Sequence, residues 1–590
     1  MTQACPSCQS QNAVDARFCN QCGTRLEAAV ANVRAPGYTP QHLTERVLKT
    51  RAAMQGERKR VTVLFADIKG STKLAQEAGA EVWHGILDQF FAILSSAVHR
   101  YEGTVNQYTG DGIMALFGAP VAHEANARRA GLAALEMQAQ VRRYADELRL
   151  SRGLNLSMRV GLNTGEVIVG RIGDDLRMDY TAQGHTVNLA ARMEHICEPG
   201  RIYLSRYTAR GIEGYFKLRD LGRMQVAGVD EPVEVYELEG QGELNTRLDR
   251  SLARFASRFV GREAEVATLQ QALQRAKDGE GQVVAVIGNA GIGKSRLCHE
   301  FTQDCAHQGI AVHRATGVPY AKALPMYPVQ TLVRARLGLP ANASAVDVRR
   351  LVAGTLLMHK PAHAAILPVV FDFLGVAESR ESAPEMTEAQ REQLLELLTH
   401  YLSYGDDQGL QVLLVEDLHF LDAASESFFA RLAKRVRLSR TLLLVNYRPD
   451  YINEWLIPLL DEQVSVSALK AAQLEQLAQS LLGADPGVQG LAKSIRERAN
   501  GNPFFVEEAV QALAEEGYLS GVPGAYVLSR PVVQWPIADT VHALLAARID
   551  RLPEAQKNLL QTASVIGQEF APSLLAEVTE QTIESCRESL

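Results

Sequence analysis

The 590-residue sequence has no apolar run long enough to cross a membrane. Its longest apolar-leaning stretches, such as 362–376, are interrupted, here by Pro368 and Asp372, and fall short of the roughly 20 residues that a bilayer requires. The start of the chain also lacks a cationic segment leading into an apolar one, so the sequence predicts neither a signal peptide nor export. The cytoplasm is therefore the predicted location.

An excess of basic residues is absent as well. Lys and Arg number 61 against 68 Asp and Glu, which gives a net charge of −7. Proteins that bind nucleic acid non-specifically usually carry the opposite balance. The charge therefore gives no support to nucleic-acid binding.

Cysteine is scarce, and its eight residues are unevenly placed. Four are scattered and predicted to be unpaired thiols: Cys197, Cys298, Cys305 and Cys586. The others form two C-x2-C pairs separated by ten residues: Cys5, Cys8, Cys19 and Cys22. Two thiolate pairs at this spacing can surround one zinc ion, and so short a segment needs such a staple to fold. We predict a closed, structural Zn2+ site, in a segment that resembles the zinc ribbons placed ahead of bacterial regulatory proteins.

The length predicts about three to five domains, and 46% hydrophobic residues with 22% charged residues are typical of folded cores. Alternating short apolar runs and helical patterns predict an α+β domain first and an α/β nucleotide-binding domain after it. The run Glu57–Arg60 is interpreted as a solvated approach to the first of these domains. The last residues stop inside a helix-like pattern without a cap, which suggests a fragment of a longer chain. The predicted segments are a zinc ribbon at 1–26, a linker at 27–57, the α+β domain at 58–240, a polar linker at 241–257, the α/β domain at 258–464 and a mostly helical region at 465–590.

Two aspartates are predicted to lie where strands end. The strand 61–66 ends at Asp67, and Asp111 lies in a Gly-Asp-Gly turn between two hairpin strands. Either residue alone reads as an ordinary turn residue. If the strands are neighbours, however, the two carboxylates share a sheet edge and can hold a pair of divalent cations that bridge phosphates and activate a hydroxyl.

Three ordered motifs strengthen this interpretation: FADIKGST at 65–72, GDGIMALFG at 110–118 and TVNLAARM at 186–193. Together they resemble a class III nucleotide cyclase over about 58–238. The resemblance implies a ferredoxin-like sheet with added elements, and a homodimer whose active sites lie between the two subunits. It also implies that Asp67, Asp111 and the Ile68 carbonyl bind two Mg2+ or Mn2+ ions. Asn188 would orient the ribose and Arg192 would neutralise charge on the phosphates.

The sequence departs from the adenylate-specific pattern at Gln107, where such cyclases often carry lysine. A carboxamide both donates and accepts hydrogen bonds, so it suits either purine, and Thr181 at the partner position is equally ambivalent. ATP is favoured on family frequency, and GTP stays open. A further departure is Ala227, where the family frequently has a phosphate-neutralising lysine; its absence could slow turnover.

A second chemical site follows the predicted strand 283–287. The segment GNAGIGKS at 288–295 fits a P-loop, whose glycine-rich backbone cradles phosphates. Lys294 would reach the outer phosphates and Ser295 would join the magnesium shell. The apolar strand 412–415 leads into Glu416 and Asp417, of which either could hold magnesium or polarise water; the usual order assigns magnesium to Glu416. The phosphate-binding residues proposed here are Gly288, Gly291, Gly293, Lys294 and Ser295.

Further motifs around this loop resemble a signal-transduction ATPase of the STAND type over 258–590. They comprise VGRE at 260–263, LHFLD at 418–422, Arg448 and GNPFF at 501–505. The resemblance implies a helical domain, a winged helix near 535–590, Arg448 as a sensor of the γ-phosphate, and a loop at Pro503 that senses nucleotide across the domain joint. His419 reads equally as a site residue or as a packed histidine.

The leading hypothesis is a cytoplasmic, dimeric adenylate cyclase that makes 3′,5′-cyclic AMP and is regulated by the ATP-binding switch. Its upstream protein or ligand is not identified by the sequence. The competing hypothesis is a nucleotide-gated scaffold whose cyclase fold only dimerises, which Gln107 and Ala227 favour. A DNA-binding regulator acting through the winged helix is disfavoured by the acidic charge.

Overall fold

The computed structural model describes most of the chain from residue 57 onward and two short segments before it. The described residues are 2–4, 11–13, 57–119, 121–123, 125–172, 179–183, 185–226, 228, 231–242, 246–254, 257–318, 325–339, 343–359, 361–377, 386–404, 409–532, 535, 545, 549, 552, 554–566, 571–579 and 581–589. The first two segments pair as antiparallel strands, β1 (Thr2–Ala4) and β2 (Gln11–Ala13). The four cysteines of the predicted zinc site lie outside the described residues, as does Ala227.

A mixed sheet forms the first large domain. In its described part the strands are β3 (Glu57–Ile68), β4 (Thr104–Tyr108), β5 (Gly112–Phe117), β6 (Met158–Ile172), β7 (Asp179–Gln183), β8 (Ile202–Ser205), β9 (Phe216–Met224) and β10 (Val233–Gln241). The sheet order is β4-β5-β3-β6-β8-β10-β9, and β7 pairs with the distal half of β6. Strand β3 is central and its apolar residues are buried on both faces, as expected for a strand covered by helices on each side.

The helices of this domain cover both faces of the sheet. They are α1 (Ser71–Ala78), α2 (Ala80–Arg100), α3 (Asn126–Arg152), α4 (His185–Ile196) and α5 (Arg206–Ile212). Fully buried side chains such as Phe90 and Met137 anchor α2 and α3 in the main core. Helix α4 lies against β6 and β3 on the other face. The arrangement is α+β, as the sequence predicts.

The charged run Glu57–Arg60 is not a solvated approach, so that interpretation is wrong. These residues form the first four positions of β3 and pair in register with 166–169 of β6. The Lys59 side chain is 7% exposed. The aliphatic stem of a lysine can pack within a sheet, so this run of charged residues forms a strand although its sequence is typical of a linker.

The polar linker predicted at 241–257 contains a helix, α6 (Arg247–Arg254). It has side-chain contacts with residues of both neighbouring domains, as described below.

A parallel sheet forms the second large domain, with described strands β11 (Gln282–Ile287), β12 (Ala311–Thr316), β13 (Gln411–Glu416), β14 (Thr441–Tyr447) and β15 (Glu462–Ser465). Their order is β12-β13-β14-β11-β15. Strand β13 is completely buried, which explains its uninterrupted apolar sequence. The helices are α7 (Glu263–Lys277), α8 (Lys294–His307), α9 (Tyr327–Arg336), α10 (Ala345–His359), α11 (Leu367–Phe373), α12 (Glu388–Ser403) and α13 (Ala423–Val436), with short 3-10 helices at Pro361–Ile366, Leu418–Phe420 and Ile457–Leu459.

Helices dominate the described residues after 465. A core of leucine and alanine joins α14 (Ala471–Leu482), α15 (Pro486–Ala499) and α16 (Pro503–Glu515) to the hairpin of β16 (Leu519–Val522) and β17 (Ala525–Leu528). Three further helices are α17 (Glu554–Ile566), α18 (Pro572–Val578) and α19 (Ile583–Ser589). The winged helix at 535–590 stays a prediction, since much of 533–553 lies outside the described residues. None of the helices within the described ranges is long and apolar enough to span a bilayer.

Candidate functional site

Asp67 and Asp111 meet at one edge of the first sheet. Asp67 is paired with Gly112 across β3 and β5, and the Ile68 amide donates to the Asp111 carbonyl at 3.2 Å. A Cβ at Gly112 would overlap the Ala66 carbonyl oxygen and lie 3.1 Å from the Asp67 Cα. Only glycine therefore permits this close approach, which places two carboxylates that are 44 positions apart side by side.

The electrostatics of the pair suit a cation. Burial raises the pKa of Asp67 above its usual range, an effect that Arg159 partly offsets and Asp111 reinforces. The Asp67 Oδ1 is buried and accepts no hydrogen bond from the described residues. Two carboxylates that repel each other, with an unsatisfied oxygen and the nearby Ile68 backbone, fit a divalent-cation site. Across the described residues no cluster of three or more His, Cys, Asp or Glu side chains is arranged to hold a metal ion.

Two residues that the sequence analysis missed complete the acid site. Arg159 on β6 lies opposite Asp67, and its NH2 nitrogen is 2.8 Å from Asp67 Oδ2 and 2.7 Å from Glu194 Oε1. Burial raises the pKa of Glu194 to about 7, although Arg159 opposes the shift. The available signal was Arg159 itself, the charged residue within the short run 158–162, and it did not identify the partners.

The remaining predicted cyclase residues lie on three different elements. Gln107 is exposed on β4, and Thr181 is on β7 opposite Gly170. Asn188 and Arg192 are one turn apart on α4, and both are exposed. In the described part of the chain, neither forms a hydrogen bond or an ion pair with Asp67 or Asp111. A single chain thus brings the two acids together without bringing Asn188 and Arg192 into contact with them.

The P-loop lies between β11 and α8, as the sequence predicts. It contains Gly288, Gly291 and Gly293, and Lys294 begins the helix. The buried Lys294 ammonium donates to the Gly288 carbonyl at 2.7 Å and to the Asn289 carbonyl at 3.0 Å. Burial lowers the pKa of Lys294 to about 8, and the nearby Asp417 partly offsets this. The backbone carbonyls of the loop thus hold the Lys294 amine over the loop, at the place where the P-loop motif is predicted to bind a phosphate group.

The acids at the end of β13 are held by Asn446, another residue that the sequence analysis missed. Its amide nitrogen donates to Glu416 Oε1 at 3.3 Å, and its oxygen accepts from the Asp417 backbone at 2.9 Å. Burial raises the pKa of Glu416 to about 7, against the effect of Arg314, whose Nε is 3.4 Å from Glu416 Oε2. Ser295 of the P-loop also opposes the rise in the pKa of Glu416, so its side chain lies near the acids.

The predicted sensor loop touches the P-loop directly. Asn502 caps α16 and donates from Nδ2 to the Ala290 carbonyl at 3.1 Å, and the Phe504 amide donates to the Gly291 carbonyl at 3.4 Å. Arg448 follows β14, and its guanidinium lies 5.9 Å from the Phe420 ring centroid. His419 packs against the same ring with its Nδ1 3.9 Å from Asp417, a position that suits either of its two interpretations.

Comparison with known families gives three matches. The model described as "Adenylate and Guanylate cyclase catalytic domain" matches residues 54–240, and the one described as "AAA ATPase domain" matches 258–445. Residues 470–517 match "Domain of unknown function (DUF8739)".

Among curated proteins, an uncharacterized protein of Rhizobium meliloti is 27% identical over 496 residues, which are 78% of this chain and 44% of that protein. Adenylate cyclase 1 of the same organism is 30% identical over 213 residues, covering 34% of this chain and 31% of that protein. The chain thus spans less than half the length of these curated relatives.

Among solved structures, the adenylyl cyclase CyaB from P. aeruginosa is 33% identical, and the match covers 33% of this chain and 99% of that one with a TM-score of 0.30. The first matched range covers the strands of the sheet that carries the acid pair, and the second covers the P-loop and most of the parallel sheet. The chain therefore contains a class III adenylate/guanylate cyclase domain followed by an AAA ATPase domain.

Proposed function

We propose that this protein is a cytoplasmic signalling cyclase that converts ATP into 3′,5′-cyclic AMP and pyrophosphate under the control of its ATPase domain. One observation carries the proposal: Asp67 and Asp111 lie side by side at the hairpin edge, with an unsatisfied carboxylate oxygen. When bound there, divalent cations would neutralise phosphate charge and lower the pKa of the ribose 3′-hydroxyl.

The chain's own residues orient the reactants. Asp67, Asp111 and the Ile68 carbonyl would hold the cation site so that the 3′-oxygen is in line with the α-phosphorus. The new bond joins O3′ to that phosphorus, the 3′-hydroxyl proton passes to water, and the bond to the bridging oxygen breaks as pyrophosphate leaves. Asn188 would hold the ribose, and Arg192 would offer two parallel N–H donors to the charge that develops on the phosphate.

A homodimer would bring these groups together. Asn188 and Arg192 are both exposed on α4, so they are free to contact a second chain. Two copies arranged head to tail would each supply acids to one site and the asparagine and arginine to the other.

The base of the substrate is assigned to adenine by family frequency. Gln107 is exposed on β4, so its carboxamide can rotate to suit either purine. We therefore expect measurable turnover of GTP beside ATP.

Regulation would pass through helix α6. Asp249 lies 3.8 Å from Arg314, which also contacts Glu416 beside the P-loop. Arg250 donates to the Arg210 carbonyl at 2.6 Å, at the end of the cyclase helix α5. One eight-residue helix thus connects the nucleotide-binding acids to the cyclase domain, which supports a STAND-type switch between nucleotide states.

The direct test is to incubate the purified chain with Mn2+ and either ATP or GTP and to identify cyclic nucleotides by mass spectrometry. Asp111→Ala should abolish the product, whereas Asp146→Ala, which removes an exposed carboxylate on α3, should not. If wild type and Asp111→Ala both lack product while ATP is still hydrolysed, the scaffold hypothesis replaces this one. Lys294→Ala should abolish that hydrolysis.

A further inference from the structure

Arg159 is shared between two carboxylates. The same guanidinium nitrogen lies 2.8 Å from Asp67 and 2.7 Å from Glu194, and 9% of the Arg159 side chain and 11% of the Glu194 side chain are exposed. In this arrangement Arg159 occupies one oxygen of Asp67. The other oxygen of that carboxylate, Oδ1, has no hydrogen-bond partner among the described residues, and a cation bound there would lie close to the guanidinium.

The position of Glu194 is fixed by the backbone. Gly161 is two residues beyond Arg159 on β6, so it lies on the same face of the sheet. A Cβ at Gly161 would overlap the Glu194 nitrogen and lie 2.5 Å from the Ala190 carbonyl oxygen, so α4 rests directly on the strand. Arg159 NH1 also donates to the His195 carbonyl at 3.3 Å. The end of α4 therefore offers Arg159 an ion-pair partner, the Glu194 carboxylate, and a hydrogen-bond acceptor, the His195 carbonyl.

A cation that approaches Asp67 repels the guanidinium beside it. Arg159 can leave Asp67 cheaply only if a charged partner remains, because an unpaired buried guanidinium is costly. We infer that Glu194 is a positioning residue that retains Arg159 when a divalent cation binds Asp67, and thereby sets the cation affinity of the acid pair. The inference rests on the metal-binding role that the proposed function gives to Asp67 and Asp111.

Substitutions should therefore shift cation affinity in opposite directions. Glu194→Gln leaves Arg159 with Asp67 as its only carboxylate, so we expect Mn2+ to bind about 10-fold more weakly. Arg159→Gln removes the competitor, so we expect tighter binding. If Glu194 acts through Arg159, the double variant should bind Mn2+ like Arg159→Gln alone, because the cycle isolates their coupling.

The nucleotide-free 590-residue chain is titrated with Mn2+, and the concentration of free Mn2+ is measured by electron paramagnetic resonance. The site of interest is the part of the binding that Asp111→Asn removes. Glu237→Gln is the matched control, since Glu237 is a buried carboxylate held by Arg201 and Arg219 elsewhere in the same sheet. It should leave the Mn2+ affinity unchanged. Circular dichroism checks each fold, and Glu194→Asp, which keeps the charge, should bind Mn2+ like the wild type. If Glu194→Gln does not fold, Glu194→Ala takes its place with the same expected loss of affinity.

Unchanged Mn2+ affinity in Glu194→Gln would overturn the inference and leave Glu194 a structural residue. An equal loss of affinity in the Arg159→Gln background would also overturn it, because Glu194 would then act by charge alone. Absence of any Asp111-dependent Mn2+ binding would overturn both the inference and the proposed function. Binding that depends on Glu194 without formation of cyclic nucleotide would overturn only the proposed function.

Discussion

At the scale of single residues, both sites keep charged groups in surroundings that disfavour their charge. Burial raises the pKa of Asp67 and of Glu416 and lowers that of Lys294. Each group is one that a cation or a phosphate would stabilise in its charged form. These groups therefore lower the free energy of unfolding of the ligand-free protein, and ligand binding should raise it again.

Asp111→Asn should stabilise the cation-free cyclase domain and abolish its stabilisation by Mn2+. The pKa of Asp67 is higher in the folded protein than in the unfolded chain. Its favourable contribution to the free energy of unfolding is therefore complete below the pKa of the unfolded chain, and it is lost as the pH rises through the pKa of the folded protein. Removing the neighbouring charge at pH 7 should recover on the order of 1 kcal/mol, or about 2–4 °C in Tm. Calorimetry in EDTA and in Mn2+ checks this. If Mn2+ still raised the Tm of the Asp111→Asn protein, the assignment would be contradicted.

Nucleotide binding at the P-loop should take up a proton above pH 8. Lys294, with a pKa of about 8, is largely neutral at pH 8.5 and must be protonated to pair with phosphate. We expect the affinity for ADP to fall with pH above 8, by at most about 10-fold per unit. Calorimetry in two buffers of different ionisation enthalpy measures the uptake. Lys294→Arg keeps its charge and should show none; equal uptake in both proteins would exclude Lys294 as the source.

At the scale of elements, the contact between α4 and β6 determines the geometry of the cyclase site. The helix carries Asn188 and Arg192 on its exposed side and Glu194 on its buried side. Its distance from the sheet is set at Gly161, where there is no room for a side chain.

Gly161→Ala should push α4 away from the sheet. We expect a loss of about 1–3 kcal/mol in the free energy of unfolding from overpacking, and a larger proportional loss of cyclase activity. Gly240→Ala on β10 is the control, because a Cβ there meets nothing within 4 Å. Urea unfolding and initial rates test the pair; equal effects of the two substitutions would show that the helix contact is unimportant.

Local signals predicted the P-loop, the acid-bearing hairpin and the strands that lead into the candidate site residues, because their spacing and glycines act within a few residues. Arg159 could not be paired with Asp67 from the sequence, since their contact depends on the register of β3 against β6, in which a slip of one residue would turn Arg159 to the other face. Its contact with Glu194 depends in addition on how α4 packs on β6 at Gly161. Asn446 needed the parallel alignment of β13 and β14 for the same reason. Strand residues 57–60 and helix α6 were missed because their polar letters resemble linkers.

At the scale of the whole molecule, α6 contacts both large domains through charged side chains. Three of its described side chains contact different partners: Asp249 contacts Arg314, Arg250 contacts Arg210, and Ser251 contacts Glu507 on α16 through a 2.8 Å hydrogen bond. The helix is thus placed to respond to changes at the P-loop and at its sensor loop.

Arg250→Ala should uncouple the two domains. In the otherwise wild-type chain we expect Lys294→Ala to change the rate of cyclic nucleotide formation, because it fixes the ATPase domain in one state. In the Arg250→Ala background the same change should have no effect, while basal cyclase and ATPase rates persist. Arg223→Ala removes an exposed arginine on β9 and serves as the control. A Lys294→Ala effect that survives Arg250→Ala would exclude α6 as the route.

The separation of the acid pair from Asn188 and Arg192 on each chain has a consequence for dosage. If each active site needs residues from two molecules, the rate of cyclic nucleotide formation at low protein concentration rises with the square of that concentration. Two inactive variants, one without its acids and one without its arginine, would then form a heterodimer with up to one functional active site. A cell that carries both defects would keep part of a signal that neither alone could produce.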